Sequence, residues 1–205
     1  MTAIIDYGVG NLFSLRSSFA CVGEEAVVTS DKDIILSADR IILPGVGAFS
    51  DAAEKLFKSG MADVLYEAAE KGKPILGICL GMQLLFEKSY EYGEHKGLGF
   101  IKGSVRPIAE RVDTSVYKIP QIGWNALRFT QKKSPLFKYT NEGDHVYFVH
   151  SYYGADCEDS LLATTEYGFD VTAAVNSGSV YGTQFHPEKS GEVGLNILRA
   201  FCEIG

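Results

Sequence analysis

The five residues Gly77-Ile78-Cys79-Leu80-Gly81 constrain this chain more than any other stretch. They sit where a short apolar run, Pro74–Ile78, gives way to a helical pattern over Leu80–Glu87. Glycines two positions either side of a nucleophilic residue, at a strand-to-helix junction, predict a turn so sharp that neighbouring elements leave no room for side chains. The apex residue is then lifted out of the sheet at its carboxyl edge, where open α/β sheets hold their ligands. The amino end of the following helix beneath Cys79 suits a negatively charged sulfur, and the Leu80 N–H can face an oxyanion. The plain alternative is a small buried cysteine in a glycine-rich turn, since free cysteine is among the most buried residue types.

The surrounding pattern repeats the strand–helix theme. Thr2–Asp6 reads as a strand, Gly8–Gly10 as a tight turn, and Asn11–Val22 as a helix with Leu12, Leu15, Phe19 and Val22 on one face. Ala26–Thr29 and Arg40–Leu43 read as buried strands, and Asp51–Tyr66 as a helix in two pieces broken near Gly60. Such alternation implies right-handed crossovers and a parallel sheet. Beyond residue 98 the texture changes: Phe100–Val105, Asn125–Phe129, His145–Tyr152, Leu161–Thr165, Thr172–Asn176 and Val180–Phe185 are strand-like, and only Gly191–Phe201 is helical again. Tyr90–Gly99 is polar and glycine-rich and reads as a surface connection. The expectation is one α/β domain over residues 1–205: an open, mostly parallel, flavodoxin-like sheet flanked by helices, with a more strand-rich C-terminal half.

Charge and cysteine usage exclude several function classes. The net charge of −7, with no basic cluster longer than Lys132-Lys133, argues against nucleic acid or an anionic membrane as partner. Cys21, Cys79, Cys157 and Cys202 are scattered without a C-x-x-C pair, so neither a zinc site nor a disulfide framework is expected, and no cofactor is called for. No signal-peptide pattern opens the chain, and no apolar run approaches the roughly 20 residues that cross a bilayer. The expected location is the cytosol, where thiols stay reduced.

A cysteine nucleophile needs a base. Of four histidines, His95 lies in the polar connection, while His145 and His150 bound a strand and read as structural hydrogen-bonding residues. His186 ends Val180–Phe185 and is followed by Pro187 and Glu188. On an extended chain residues i and i+2 share a side, and Pro187 keeps His186 away from helical geometry. Glu188 can then hold one imidazole nitrogen while the other faces Cys79, which is the nucleophile–base–orienter logic of a triad.

These residues resemble the class I, triad-type glutamine amidotransferases, through Gly77–Gln83 and His186-Pro187-Glu188. Within that family the chain is most similar to the glutaminase subunits of imidazole glycerol phosphate synthases. That narrower likeness rests on Asp6–Asn11, Pro44–Phe49, Pro120–Asn125, Val149–Tyr152 and Gln184–Ser190, which span nearly the whole chain in order. The resemblance implies hydrolysis of glutamine through a Cys79 thioester, with His186 and Glu188 completing the triad. It implies an oxyanion hole from the Leu80 N–H and one in Gly45–Gly47, expected to be that of Val46. Gln83, Ser151 and Tyr152 are implied as glutamine contacts. The implied partner is a (β/α)8-barrel cyclase subunit that forms a heterodimer with this chain and receives its ammonia. Asn11, Gln121, Trp124 and Lys189 match motifs near that interface.

Three rival readings compete. Gly8-Val9-Gly10 suggests a dinucleotide fingerprint, but Phe13 occupies the third glycine position and no strand-end acid stands clearly about 20 residues on. A non-catalytic binding subunit on the same fold would be expected to lack the cysteine or histidine. Another amidotransferase branch is disfavoured by Asp6–Asn11 and Pro120–Asn125.

Overall fold

The computed structural model describes residues 1–130 and 133–204; Lys132 of the Lys132-Lys133 pair lies outside them. In chain order the first half runs β1 (Thr2–Ile5), α1 (Leu12–Cys21), β2 (Ala26–Thr29), α2 (Lys32–Ser37), β3 (Arg40–Leu43), α3 (Phe49–Lys58), α4 (Met61–Glu70), β4 (Ile75–Ile78) and α5 (Leu80–Leu84). The second half adds β5 (Phe86–Ser89), β6 (His95–Lys96), β7 (Ile101–Pro107), β8 (Gln121–Ala126), β9 (Arg128–Phe129), β10 (His145–His150), β11 (Tyr152–Ala155), β12 (Leu161–Glu166), β13 (Asp170–Ser177), β14 (Val180–Thr183) and α6 (Gly191–Cys202).

An eight-stranded sheet in the order β2-β1-β3-β4-β14-β13-β12-β9 forms the centre. Its first five strands are parallel, and β13, β12 and β9 continue it antiparallel. Alternation along each strand divides the core. Ala3, Ile5, Ile41 and Leu43 pack with α3 and α4 on one face. Ile4, Ile42, Leu76 and Ile78 pack with α1 and α6 on the other. Burial on both faces explains why these strands read as unbroken apolar runs, each large side chain contributing roughly 2 kcal/mol. A four-stranded sheet, β11-β7-β5-β6, and the pair β10-β8 lie beyond it.

Several sequence expectations need correction. The helix expected over Leu80–Glu87 ends at Leu84, and Phe86–Ser89 becomes a strand. Phe86 is fully buried and pairs in register with Ile101 of β7, so sheet pairing outweighs local helical pattern there. Tyr90–Gly99 is more than a surface connection, because it contains β6 and the buried Glu91. The strand expected at Asn125–Phe129 starts at Gln121 and breaks after Ala126. His145–Tyr152 is two strands in two sheets, parted at Ser151: β10 pairs with β8, and β11 with β7. Helix α2, unanticipated, is capped by Asp31, whose side chain accepts the N–H groups of Asp33 and Ile34.

Candidate functional site

The turn at Cys79 is built by close packing. A Cβ on Gly77 would stand 2.6 Å from the Gly81 carbonyl oxygen, and one on Gly81 would collide with the Leu43 carbonyl. Gly45 is confined in the same way, 2.5 Å from the Gly81 amide nitrogen to a hypothetical Cβ. Three backbones thus meet where only glycine fits. Cys79 itself takes φ 55° and ψ −112°, a strained conformation for a residue with a side chain. It is held there by its own N–H, which donates to the Thr183 carbonyl at 2.7 Å.

That bond joins the ends of two neighbouring strands. Ile78 of β4 is paired with Thr183 of β14, so Cys79 and the segment leading to His186 leave the sheet side by side. His186 is 2 % exposed, and its Nδ1–H donates to Glu188 Oε1 at 2.7 Å. The His186 N–H donates to the Tyr147 carbonyl at 3.0 Å, and its carbonyl accepts the Ser190 hydroxyl at 2.6 Å. The route to the Glu188 contact differs from expectation. Pro187–Lys189 is a 3₁₀ turn rather than extended chain, so the carboxylate reaches the ring by curling back.

Burial opposes a charged His186 ring, but the Cys79 sulfur and the Glu188 carboxylate beside it outweigh that cost and push its pKa up to about 9. The ring therefore carries a proton at neutral pH. Cys79 Sγ also accepts a hydrogen bond from Gln184 Nε2 at 3.8 Å. Gln184 Oε1 in turn accepts from Gln83 Nε2 at 3.0 Å, and the same Gln83 nitrogen donates to the Tyr152 carbonyl at 3.1 Å.

A cavity of about 640 Å³ opens on this group. Of the expected site residues, Cys79, His186, Leu80, Val46, Gly47, Gln83, Ser151, Tyr152 and Lys189 line it. Gly45 lies behind the wall, against Leu80 and Gly81. Among the described residues no group of three or more His, Cys, Asp and Glu side chains is arranged to hold a metal.

The family described as "Glutamine amidotransferase class-I" matches residues 3–204. This chain belongs to the class I glutamine amidotransferases. It is 49 % identical over 206 residues to "Imidazole glycerol phosphate synthase subunit HisH" of Wolinella succinogenes, covering all of both chains. To the protein of that description from Geobacillus kaustophilus it is 50 % identical, covering 100 % of this chain and 97 % of the relative. Among solved structures, "Structure of PurLQS from Thermotoga maritima" superposes with a TM-score of 0.73 at 21 % identity, over 98 % of this chain and 96 % of that one, a likeness of fold.

The four amidotransferase residues expected near a partner fall into two groups. Trp124 is 52 % exposed and stacks edge-on against Tyr147, whose ring lies 5.8 Å from Lys189 Nζ. Asn11 is exposed and caps α1, its side chain accepting the Ser14 N–H at 3.4 Å. Gln121 stands apart: it is fully buried and donates to Asn125 Oδ1. Alternation along β8 turns Ile122 outward instead, with Trp124.

Several cavity or sulfur neighbours had no site role in the sequence reading, Glu91, Tyr92, His150 and Gln184 among them. Glu91 is only 9 % exposed and accepts the Phe49 N–H at 2.6 Å; Tyr92 follows it at the cavity wall. His150, read as structural, also lines the cavity; its Nδ1–H donates to the Tyr152 carbonyl at 2.7 Å, and burial pushes its pKa down to about 4. Gln184 sat within a quoted motif without a role. The available signal was parity along the strand expected over Val180–Phe185; β14 in fact ends at Thr183, with Gln184 and His186 beyond it.

Proposed function

We propose that this chain, as one domain, is the glutaminase subunit of an imidazole glycerol phosphate synthase, working in the cytosol. It hydrolyses glutamine to glutamate and passes ammonia to a (β/α)8-barrel cyclase, which forms imidazole glycerol phosphate and an aminoimidazole carboxamide ribotide. The observation that carries the reading is the convergence of Cys79, His186 and Glu188 at one end of two paired strands, in a chain similar over its full length to proteins of that name.

The chemistry follows from the groups present. With His186 protonated beside it, Cys79 attacks as the thiolate on the side-chain carbonyl carbon of glutamine, and the carbonyl electrons move onto oxygen. The Leu80 N–H, with that of Val46, would hold this oxyanion; losing one such donor costs about 100- to 1000-fold in rate. His186 then gives its proton to the amide nitrogen, the C–N bond breaks and ammonia leaves. The neutral ring takes a proton from water, hydroxide adds to the thioester, and the C–S bond breaks to release glutamate. Glu188 keeps the ring oriented and its charged form favoured. Among the described residues Glu91 is the one acidic side chain lining the cavity, which makes it the group to hold the α-ammonium of glutamine.

Ammonia released into neutral water is taken up as ammonium and ceases to be a nucleophile, so a shielded exit is needed. Phe13, Val46, Ile122 and Trp124 are large apolar side chains left exposed, and Val46 stands on the cavity wall itself. Exposed apolar side chains of this kind suit a docked partner.

The test is the Cys79→Ala variant in the complex with its cyclase. Glutamine-dependent synthesis should disappear while synthesis from added ammonium salts persists. Parental glutamine hydrolysis by the alanine variant would overturn the assignment.

A further inference from the structure

Tyr92 stands out among the exposed side chains of the cavity wall. It is 86 % exposed, so the fold draws little burial from its ring, yet its backbone takes φ 54°, a conformation that residues bearing a Cβ avoid. Strain kept without a packing return marks a functional position. The ring lies 6.5 Å from that of Tyr152, edge to face at 66°. Both rings line the cavity together with Glu91, the residue directly before Tyr92 in the chain. Glu91 is fixed in its turn: Oε2 accepts the Phe49 N–H, and its own N–H donates to the Ser89 hydroxyl at 3.2 Å. The acidic group and the two aromatic rings are therefore neighbours on the cavity wall.

We propose that Tyr92 is a substrate-positioning residue that covers the α-ammonium end of glutamine, its ring face completing a cation site with Glu91 and Tyr152. The inference rests on glutamine being the occupant. A carboxylate alone attracts an ammonium from one side; an aromatic face over the same cation adds attraction and displaces water from it. The contact lies at the end of the substrate remote from the scissile amide, so it strengthens binding of substrate and transition state alike. It lowers KM and leaves kcat unchanged.

The test is steady-state glutamate release by the cyclase complex with acceptor ligand present, for the parent, Tyr92→Phe, Tyr92→Ala, Tyr92→Leu and Tyr92→Asn. The alanine variant should raise KM for glutamine roughly 3- to 30-fold with kcat within about twofold. Phenylalanine should keep the parental KM. Leucine and asparagine should match alanine, the first because it has bulk without a π face, the second because it suits the left-handed backbone without a ring. Four results overturn the proposal: an unchanged KM in the alanine variant, rescue by leucine, rescue by asparagine, or a fall in kcat at constant KM, which would mark a contact to the partner instead. A parent complex that releases no glutamate would sink the glutaminase reading itself, whereas an active parent with an indifferent Tyr92→Ala would sink only this inference.

Discussion

Nδ1 of His186 and Oε1 of Glu188 stand 2.7 Å apart, both side chains 2 % exposed, in a turn that brings the carboxylate back under the ring it orients. The pairing, with Cys79 on the other side, lifts the His186 pKa to about 9 against the cost of burial. The imidazolium needed to protonate leaving ammonia is therefore present at neutral pH and lost as pH rises through about 9. The Glu188→Gln variant should move the alkaline limb of kcat/KM to lower pH and reduce the rate at neutral pH by about 100-fold. A pH–rate profile of glutamate release checks this; an unmoved alkaline limb would count against the orienting role.

His150 presents the opposite case. Burial holds its ring neutral down to about pH 4, and the nearby His186 charge acts in the same direction. The unfolded chain takes up a proton near pH 6.5, whereas the folded chain does so only near pH 4. The stability His150 contributes is thus present above 6.5 and lost as pH falls through that interval, an amount of about 3 kcal/mol. His150→Asn, which can still donate to the Tyr152 carbonyl, should lose less stability than the parent on going from pH 7 to pH 4.5. Urea unfolding at the two pH values measures the difference.

Tyr7 is buried, and its hydroxyl donates to the Pro44 carbonyl at 2.7 Å, one residue before the glycine that packs against the Cys79 turn. Tyr7→Phe leaves that carbonyl without its donor at a cost of roughly 1 to 3 kcal/mol. The Gly45–Gly47 segment should then be less firmly placed. Glutamine hydrolysis is expected to fall about tenfold in kcat with KM little changed, since an oxyanion donor is used in the transition state. Equal losses in an ammonia-dependent assay would point to damage elsewhere.

Gly81→Ala forces a methyl group into the Leu43 carbonyl. Leu43 cannot yield without disturbing its pairing with Gly77 of β4, nor Gly81 without shifting the start of α5 beside Cys79, so the variant should lose about 3 kcal/mol or fail to fold. Chemical denaturation decides it, and parental stability would refute the account of the turn.

How legible all this was in the amino-acid sequence differed from residue to residue, for physical reasons. The Cys79 turn was readable because two of the glycines it requires, Gly77 and Gly81, flank it within the same five residues. The β1, β3 and β4 runs were readable because both faces of the sheet are covered, which leaves them apolar throughout. Glu91 was not readable, because its burial depends on the Phe49 N–H, 42 positions away, and the segment around it is polar. Phe86 and Glu87 looked helical because the partner strand, β7, lies on the far side of the β6 hairpin. Gln121 was named through a motif, which says nothing of burial, and Ile122 was not named at all. With the strand begun at Asn125 instead of Gln121, nothing indicated which of two adjacent side chains faced outward.

The register of Ile78 against Thr183 carries a consequence for how such chains can vary. Sulfur and imidazole keep their separation because two neighbouring strands end level with one another, not because of any count of residues between them. Insertions or deletions in the surface loops of that long interval, such as the one preceding β10, would leave the reacting atoms where they are. Slipping β14 by a single residue would carry the segment that follows it, with Gln184 and His186, out of line with Cys79 at once, so drift in length is tolerated where drift in alignment is not.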